Sequence, residues 1–414
     1  MSFLKAPALA IPDFRALFLT RFSASMALNV QAVIVGWQVY KLQPDPLLLG
    51  LIGLTEAIPA IGCAFFSGHI VDTHRPVRVY RWSLLALLFN TILLWTAVWE
   101  HTPFDDFQRL VLLFTGVFIS GAARSFGTPS VYSLVPRVVP RSLLGAAAAW
   151  NSSSYQFASI VGPVVGGLAF GFLGAEFTFA IPVILVAIAM SMTLALSPNI
   201  RSFKSDHERE PFLKSIKAGI DFAFGHKVLL STMTLDMFSV LFGGAVAVLP
   251  VFADQVFHTG SQGLGVLRAA PAIGSVLVGV WLAMKPMRVI SGRTLLLVVA
   301  GFGLATIGFA ISGHFVIALV FLAFSGVFDG ISMVIRSTLL QILAPEHMRG
   351  RIAALSSVFI TSSNEIGAFE SGVAARFLGL IPSVLFGGTM TLVVVATTWL
   401  KVPALARTRI DQNT

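Results

Sequence analysis

Twelve apolar runs, each about twenty residues long, set the terms for this 414-residue chain. They fall at about 16–40, 47–71, 79–99, 110–135, 143–172, 177–197, 228–253, 264–284, 294–312, 315–342, 352–375 and 378–400. A helix rises about 1.5 Å per residue, so twenty apolar residues match the roughly 30 Å hydrocarbon core of a bilayer. That core offers no water to a loop or an open strand edge, whereas a helix satisfies its own backbone. The expected fold is an all-α membrane protein of twelve transmembrane helices. Charged residues are only 11% of the chain, against roughly 25% in a soluble domain, which argues against a globular enzyme.

The net charge is +9, and its placement explains it. An even number of spans puts both termini on one side. Of the 28 Lys and Arg, 21 fall on that side, three (Lys41, Arg109, Arg376) on the other and four within spans. Basic loops stay cytoplasmic, so a multi-pass protein of the cytoplasmic (inner) membrane with both termini cytoplasmic is expected, and no nucleic-acid partner. The single cysteine, Cys63, lies in span 2 and is expected to serve packing. The first run carries Arg21, Asn29, Gln31 and Gln38 and is too long for a signal-peptide core, so it is expected to remain as helix 1.

The long polar stretch between spans 6 and 7 divides the chain into a six-helix bundle over 1–197, a linker over 198–227 and a second bundle over 228–414. Within the linker, Phe212, Ile216, Ile220 and Phe224 recur every four residues, the pattern of an amphipathic helix on the membrane surface. The halves resemble each other. At an offset of 205, residues 121–174 pair with 326–379 without a gap, with 13 identities in 54 positions that include Gly162/Gly367 and Gly174/Gly379. At an offset of 212, Pro59-Ala60-Ile61-Gly62 repeats as Pro271-Ala272-Ile273-Gly274. Duplication into two pseudo-symmetric bundles is the simplest account.

Nine ionisable residues lie well inside spans: Arg21, Glu56, Arg124, Asp236, Arg268, Asp329, Arg336, Glu365 and Glu370. Each costs roughly 2.5–3.5 kcal/mol at a helix centre, which argues for a polar axis lined by their helices. Spans 3, 6, 9 and 12 carry none between their ends and read as lipid-facing. Repeat-equivalent positions carry opposite signs, Glu56 against Arg268 and Arg124 against Asp329, so mutual neutralisation is one reading. The other is a proton or substrate site, for which Glu56, Asp329 and Glu365 are the best-placed carboxylates, joined by Arg124, Arg268 and Glu370. Asn29, Tyr155 and Gln156 add uncharged hydrogen-bonding groups, while Gln31 and Trp37 could equally face other helices. Asp236 and Arg336, nearer the cytoplasmic ends of their spans, suit a gate-closing salt bridge. The histidines fall at span ends or in loops, and no metal-ligand cluster stands out.

Three motifs carry a resemblance. Gly68-His69-Ile70-Val71-Asp72 ends span 2 and is followed by Arg75 and Arg78. Arg124 lies near the middle of span 4, and Gly162-Pro163-Val164-Val165-Gly166-Gly167 lies in span 5. Together they resemble the major facilitator superfamily. Gly36-Trp37-Gln38-Val39-Tyr40, Pro345 to Arg351 and Ser362 to Gly367 are similar to its drug and siderophore efflux branch, which includes macrolide and enterobactin exporters. The resemblance implies that Gly68 permits close packing of helices 2 and 11, that Asp72 pairs with Arg and caps a neighbouring helix, and that Gly162, Pro163, Gly166 and Gly167 bend and seal span 5. It departs from the family at Arg75, where a second glycine is usual.

No Gly-Lys pair is present, so nucleotide hydrolysis is unsupported and no cofactor is expected. The function expected is secondary active transport, with proton-coupled efflux of a small amphipathic organic compound by alternating access, from a monomer. A proton-coupled importer or a lysolipid or lipid transporter shares nearly every feature. Outside the class, a membrane sensor or scaffold would be expected to carry a soluble output domain, and an enzyme a reactive constellation absent here. Asp72→Asn is expected to slow transport turnover by about an order of magnitude with substrate affinity within about twofold, read in proteoliposomes. Wild-type turnover would show the loop motif to be idle.

Overall fold

The computed structural model describes residues 7–197, 200, 220–345 and 348–411, without the side chains at 65, 72, 349–351, 353, 354 and 357. The helices are α1 (Pro12–Leu42), α2 (Pro46–Thr73), α3 (Pro76–Val98), α4 (Asp106–Val138), α5 (Leu144–Met192), α6 (Lys227–Gly243), α7 (Gly260–Met284), α8 (Gly292–Ile311), α9 (Phe315–Leu343), α10 (Arg349–Leu378) and α11 (Leu380–Lys401). A short α12 (Pro403–Arg407) follows. Ten helical stretches among the described residues are long and apolar enough to cross a bilayer. One of these, Arg141–Ala195, spans 55 residues and breaks at Gly174, so it supplies two crossings. Arg349–Leu378 is thirty residues long and more polar. One helical limb therefore stands for each of the twelve apolar runs.

Local chemistry sets the helix starts. Pro12, Pro46 and Pro76 open α1, α2 and α3, where a missing N–H costs nothing. Asp105 accepts from the Gln108 N–H at 2.7 Å and Gln108 returns the bond, a capping box that fixes the start of α4. Breaks follow glycine. Gly174 (φ 77°) bends α5 and Gly379 (φ 94°) separates α10 from α11, and these are the repeat-equivalent pair at offset 205. Only glycine adopts such φ values without a Cβ penalty, so the duplication includes this turn.

The chain forms two compact units. Unit 1 comprises residues up to Pro44, Thr55–Asp206 and Gly260–Gly265, and its core gathers Leu17, Tyr80, Leu84, Leu134 and Val186 from α1, α3, α4 and the second limb of α5. Unit 2 comprises Asp45–Leu54, His207–Thr259 and Val266–Thr414, with Leu235, Leu295, Leu296, Ile335 and Val395 at its centre. Of the expected linker helix, Phe212 and Ile216 lie outside the described residues, and 220–225 are helical with Ile220 and Phe224 exposed.

Among the close helix crossings, one in each unit forms a repeat-equivalent pair. In unit 2, a Cβ built on Gly372 would stand 2.6 Å from the Gly50 Cα, and one on Gly53 would stand 2.7 Å from the Ala368 Cβ. In unit 1, a Cβ on Gly265 would stand 3.1 Å from the Gly167 Cα and 2.5 Å from the Pro163 carbonyl. Gly53 maps to Gly265 at offset 212, and Pro163 and Gly167 map to Ala368 and Gly372 at offset 205. Helices pack in lipid by such small-residue contacts.

The tail beyond the last span is ordered. Arg409–Asp411 pairs antiparallel with Val289–Ser291, placing Ile410 opposite Ile290, and Gly292 N–H donates to the Thr408 carbonyl at 3.0 Å. Leu405 is fully buried in the unit 2 core beside Leu295 and Leu296. Leu405→Ala is expected to destabilise the purified protein by about 2–5 kcal/mol. Thermal unfolding in detergent checks this, and an unchanged transition would show the tail to be a loose appendage.

Candidate functional site

Unit 1 holds a paired charge and a buried amide cluster. Arg124 Nη1 donates to Glu56 Oε1, joining α4 to α2. The helices lie close enough here that Ser125 Oγ also donates to the Ala60 carbonyl at 3.3 Å. Deeper in the unit, Asn90 Nδ2 donates to Gln31 Oε1 at 3.2 Å, and Gln31 Nε2 donates to Ser120 Oγ at 3.4 Å. Gln31 and Trp37 are buried, so of the two readings open for them the structure supports helix packing. Asn29 is half-buried and donates to the Ser25 carbonyl at 2.9 Å. Tyr155 is exposed and Gln156 half-buried on α5.

The Gly-Pro element of α5 works on two faces. A Cβ on Gly162 would stand 2.6 Å from the Asn29 Cβ, and one on Gly166 would stand 3.1 Å from the Val30 carbonyl, so these two face α1. Pro163 and Gly167, one position on, face the first turns of α7. Four-residue spacing places each pair on one helix face. A Cβ built on Gly68 meets no described atom within 4 Å. The Asp72 side chain lies outside the described set, and Arg75 and Arg78 are exposed where α2 gives way to α3.

Unit 2 concentrates its charge around Arg336. Its Nη1 pairs with Asp236 Oδ2, its Nη2 lies 3.7 Å from Asp329 Oδ1, and its Nε donates to the Ser332 carbonyl at 3.4 Å. Asp329, Ser332 and Arg336 are spaced i, i+3 and i+7, which puts them on one face of α9, with Asp236 reaching in from α6. Exposure separates the two carboxylates. The Asp236 side chain is 8% exposed and Arg336 11%, whereas Asp329 is 49% exposed. One guanidinium therefore serves two carboxylates, one sealed in and one open. Arg268, Glu365 and Glu370 are half-buried, and Arg268 and Glu365, like Arg124, make further interactions.

The pairs drawn here, Glu56 with Arg124 and Asp236 with Arg336, each join residues of a single unit. The break in span 7 was not foreseen. α6 ends at Gly243, residues 245–256 continue as successive short 3-10, α and π turns, and Ser371 Oγ donates to the freed Gly244 carbonyl at 2.8 Å. The Gly243-Gly244 pair in mid-span was the available signal, since interrupted transmembrane helices are tolerated where neighbours satisfy the backbone.

Residues 17–368 match the model of the Major Facilitator Superfamily. The chain belongs to that superfamily. Enterobactin exporters of Escherichia coli O1:K1 / APEC and of Shigella boydii serotype 4 are each 24% identical to it over 385 residues, covering 92% of this chain and 90% of theirs. A POT family transporter in complex with 5-aminolevulinic acid superposes with a TM-score of 0.75 at 12% identity, over 95% of this chain and 96% of that one. A D-xylose-proton symporter gives 0.74 at 12%, over 94% and 97%. These establish the major facilitator fold, two pseudo-symmetric sets of six transmembrane helices. The protein is a multi-pass membrane transporter of small organic solutes, and it is not an enzyme.

Removing one partner of the Asp236–Arg336 pair strands a buried charge. Asp236→Asn or Arg336→Gln alone is expected to cost about 3–5 kcal/mol, and the double replacement clearly less than the sum. Unfolding of the two single variants and the double variant checks the coupling, and additive losses would show the pair to be idle.

Proposed function

We propose that this transporter exports an amphipathic organic compound across the cytoplasmic membrane in exchange for protons, both termini being cytoplasmic. The halves 1–197 and 228–414 provide alternating access, with 198–227 as the connection. Similarity to enterobactin exporters supports the outward direction. The observation that carries the proton reading is the charge count at Arg336, one cation facing Asp236 and Asp329. With Asp236 held tightly and sealed in, the open Asp329 is the carboxylate whose charge is least compensated, and protonation brings the cluster to neutrality. Glu56 differs, because Arg124 already matches it one to one, which suits a structural or substrate-orienting part. Glu365 is the second proton candidate, on the polar part of α10 with Asn364.

Moving one proton through 100 mV yields about 2.3 kcal/mol, enough for a roughly fiftyfold gradient of a neutral solute. A single titrating carboxylate therefore suffices.

In proteoliposomes with an imposed pH gradient, Asp329→Asn is expected to abolish proton-driven flux while downhill exchange persists. Glu365→Gln is expected to reduce the driven flux, and Glu56→Gln to weaken transport without removing its pH response. Unchanged pH-dependent flux in all three variants would remove the proton-coupling reading.

A further inference from the structure

Unit 1 carries a row of exposed aromatic rings on the side that its embedded cations mark as aqueous. Along α1, Arg21, Ser25 and Asn29 recur every four residues and so form one polar stripe, while Val30 and Gln31 turn inward. Phe18 and Phe22 flank this stripe with rings 6.3 Å apart and 6° from parallel. Phe18 meets Trp150 edge-on at 5.8 Å, and Phe22 meets Phe157 at 5.9 Å, both on α5. On the other flank, the Arg21 guanidinium lies 5.8 Å from the ring centre of Tyr132 on α4. Trp150 is 37% exposed, Phe157 53% and Tyr132 68%.

A guanidinium at Arg21, about 13 Å along α1, must face water or protein rather than acyl chains. Arg21 is only partly covered by protein, so water reaches it, and the rings that border its stripe share that water. An interfacial aromatic belt accounts for Trp and Tyr near helix ends, but Phe157 stands about 20 Å into α5, beyond the headgroup level. Exposed aromatic faces beside water gain when a flat apolar body covers them. The local charge is positive: Glu56 is matched by Arg124, and Arg21 has the Tyr132 ring and the neutral Tyr80 as its neighbours. A ring face is a weak partner for a cation, readily exchanged for an anion.

We propose that this row is the specificity-determining surface of the transporter and that it takes a flat aromatic organic anion, with rings stacked on Phe22, Trp150 and Phe157 and the anionic group drawn to Arg21. The inference rests on the export reading and names the substrate class for it. The test uses the full-length protein in nanodiscs, with carboxyfluorescein as the anionic probe and rhodamine 6G as a cation built on the same ring system, both read by fluorescence anisotropy. Carboxyfluorescein is expected to bind at least about tenfold more tightly. Trp150→Leu and Phe157→Leu should each weaken it about five- to twentyfold. Arg21→Gln should erase the preference for the anion and Arg21→Lys should retain it, which separates loss of charge from loss of fold. Trp82→Leu, an exposed ring on α3, should leave binding unchanged. Equal affinity for the two probes, or unaltered binding in the folded Phe157→Leu variant, would overturn the proposal. Proton-driven flux of rhodamine 6G without carboxyfluorescein binding would also overturn it and leave the export reading standing. Tight carboxyfluorescein binding with no driven flux of either probe would support the surface and count against export.

Discussion

The absence of water in the hydrocarbon core governs this molecule more than any other condition. Backbone groups there must bond within their own helix, which is why every apolar run becomes a helical limb. Side chains meet the same demand by pairing. Arg124 reaches Glu56, Arg336 reaches Asp236, and Gln31, Asn90 and Ser120 link α1, α3 and α4. Where the backbone itself breaks, at Gly244, a serine from α10 supplies the missing bond. Each pairing also fixes which helices are neighbours, so the cost of burying polarity becomes the instruction for assembly.

Duplication shapes how that demand is met twice. The two halves share their sharp glycine turns, Gly174 and Gly379, and a pair of equivalent close helix crossings, yet differ in charge. Backbone geometry is constrained by packing density in both, so the glycines at these turns and at Gly53/Gly265 and Gly167/Gly372 stay matched. The charges themselves are not repeated. Unit 1 combines one ion pair with Arg21 and exposed rings, whereas unit 2 sets two carboxylates around Arg336.

Much of the candidate site was legible before any fold was known, because a charge inside an apolar run announces itself. Glu56, Arg124, Asp236, Asp329 and Arg336 all stand out in this way. The Asp236–Arg336 pair was legible as well, from the shared depth of the two charges, but the partner of Glu56 was not. Opposite signs at Glu56 and Arg268, and at Arg124 and Asp329, were visible in the sequence, but that Glu56 meets Arg124 within its own unit was not. Partner choice depends on helix rotation and crossing, to which a single sequence gives no access. Gln31 shows the same limit: its polarity was visible, but its engagement with Asn90 and Ser120 followed from three helices meeting.

Length and apolarity of the runs, read alone, determined the number of crossings, the class of fold and the duplication, since each follows from local periodicity and the thickness of a bilayer. Motif chemistry determined the family. Tertiary structure alone decided that Arg336 serves two carboxylates of unequal exposure, that Gly162 and Gly167 serve different neighbours, that span 7 breaks at Gly244 and that the tail returns as a strand beside Ile290. Those outcomes depend on contacts between residues far apart in the chain, and such contacts exist only once the helices have chosen their neighbours.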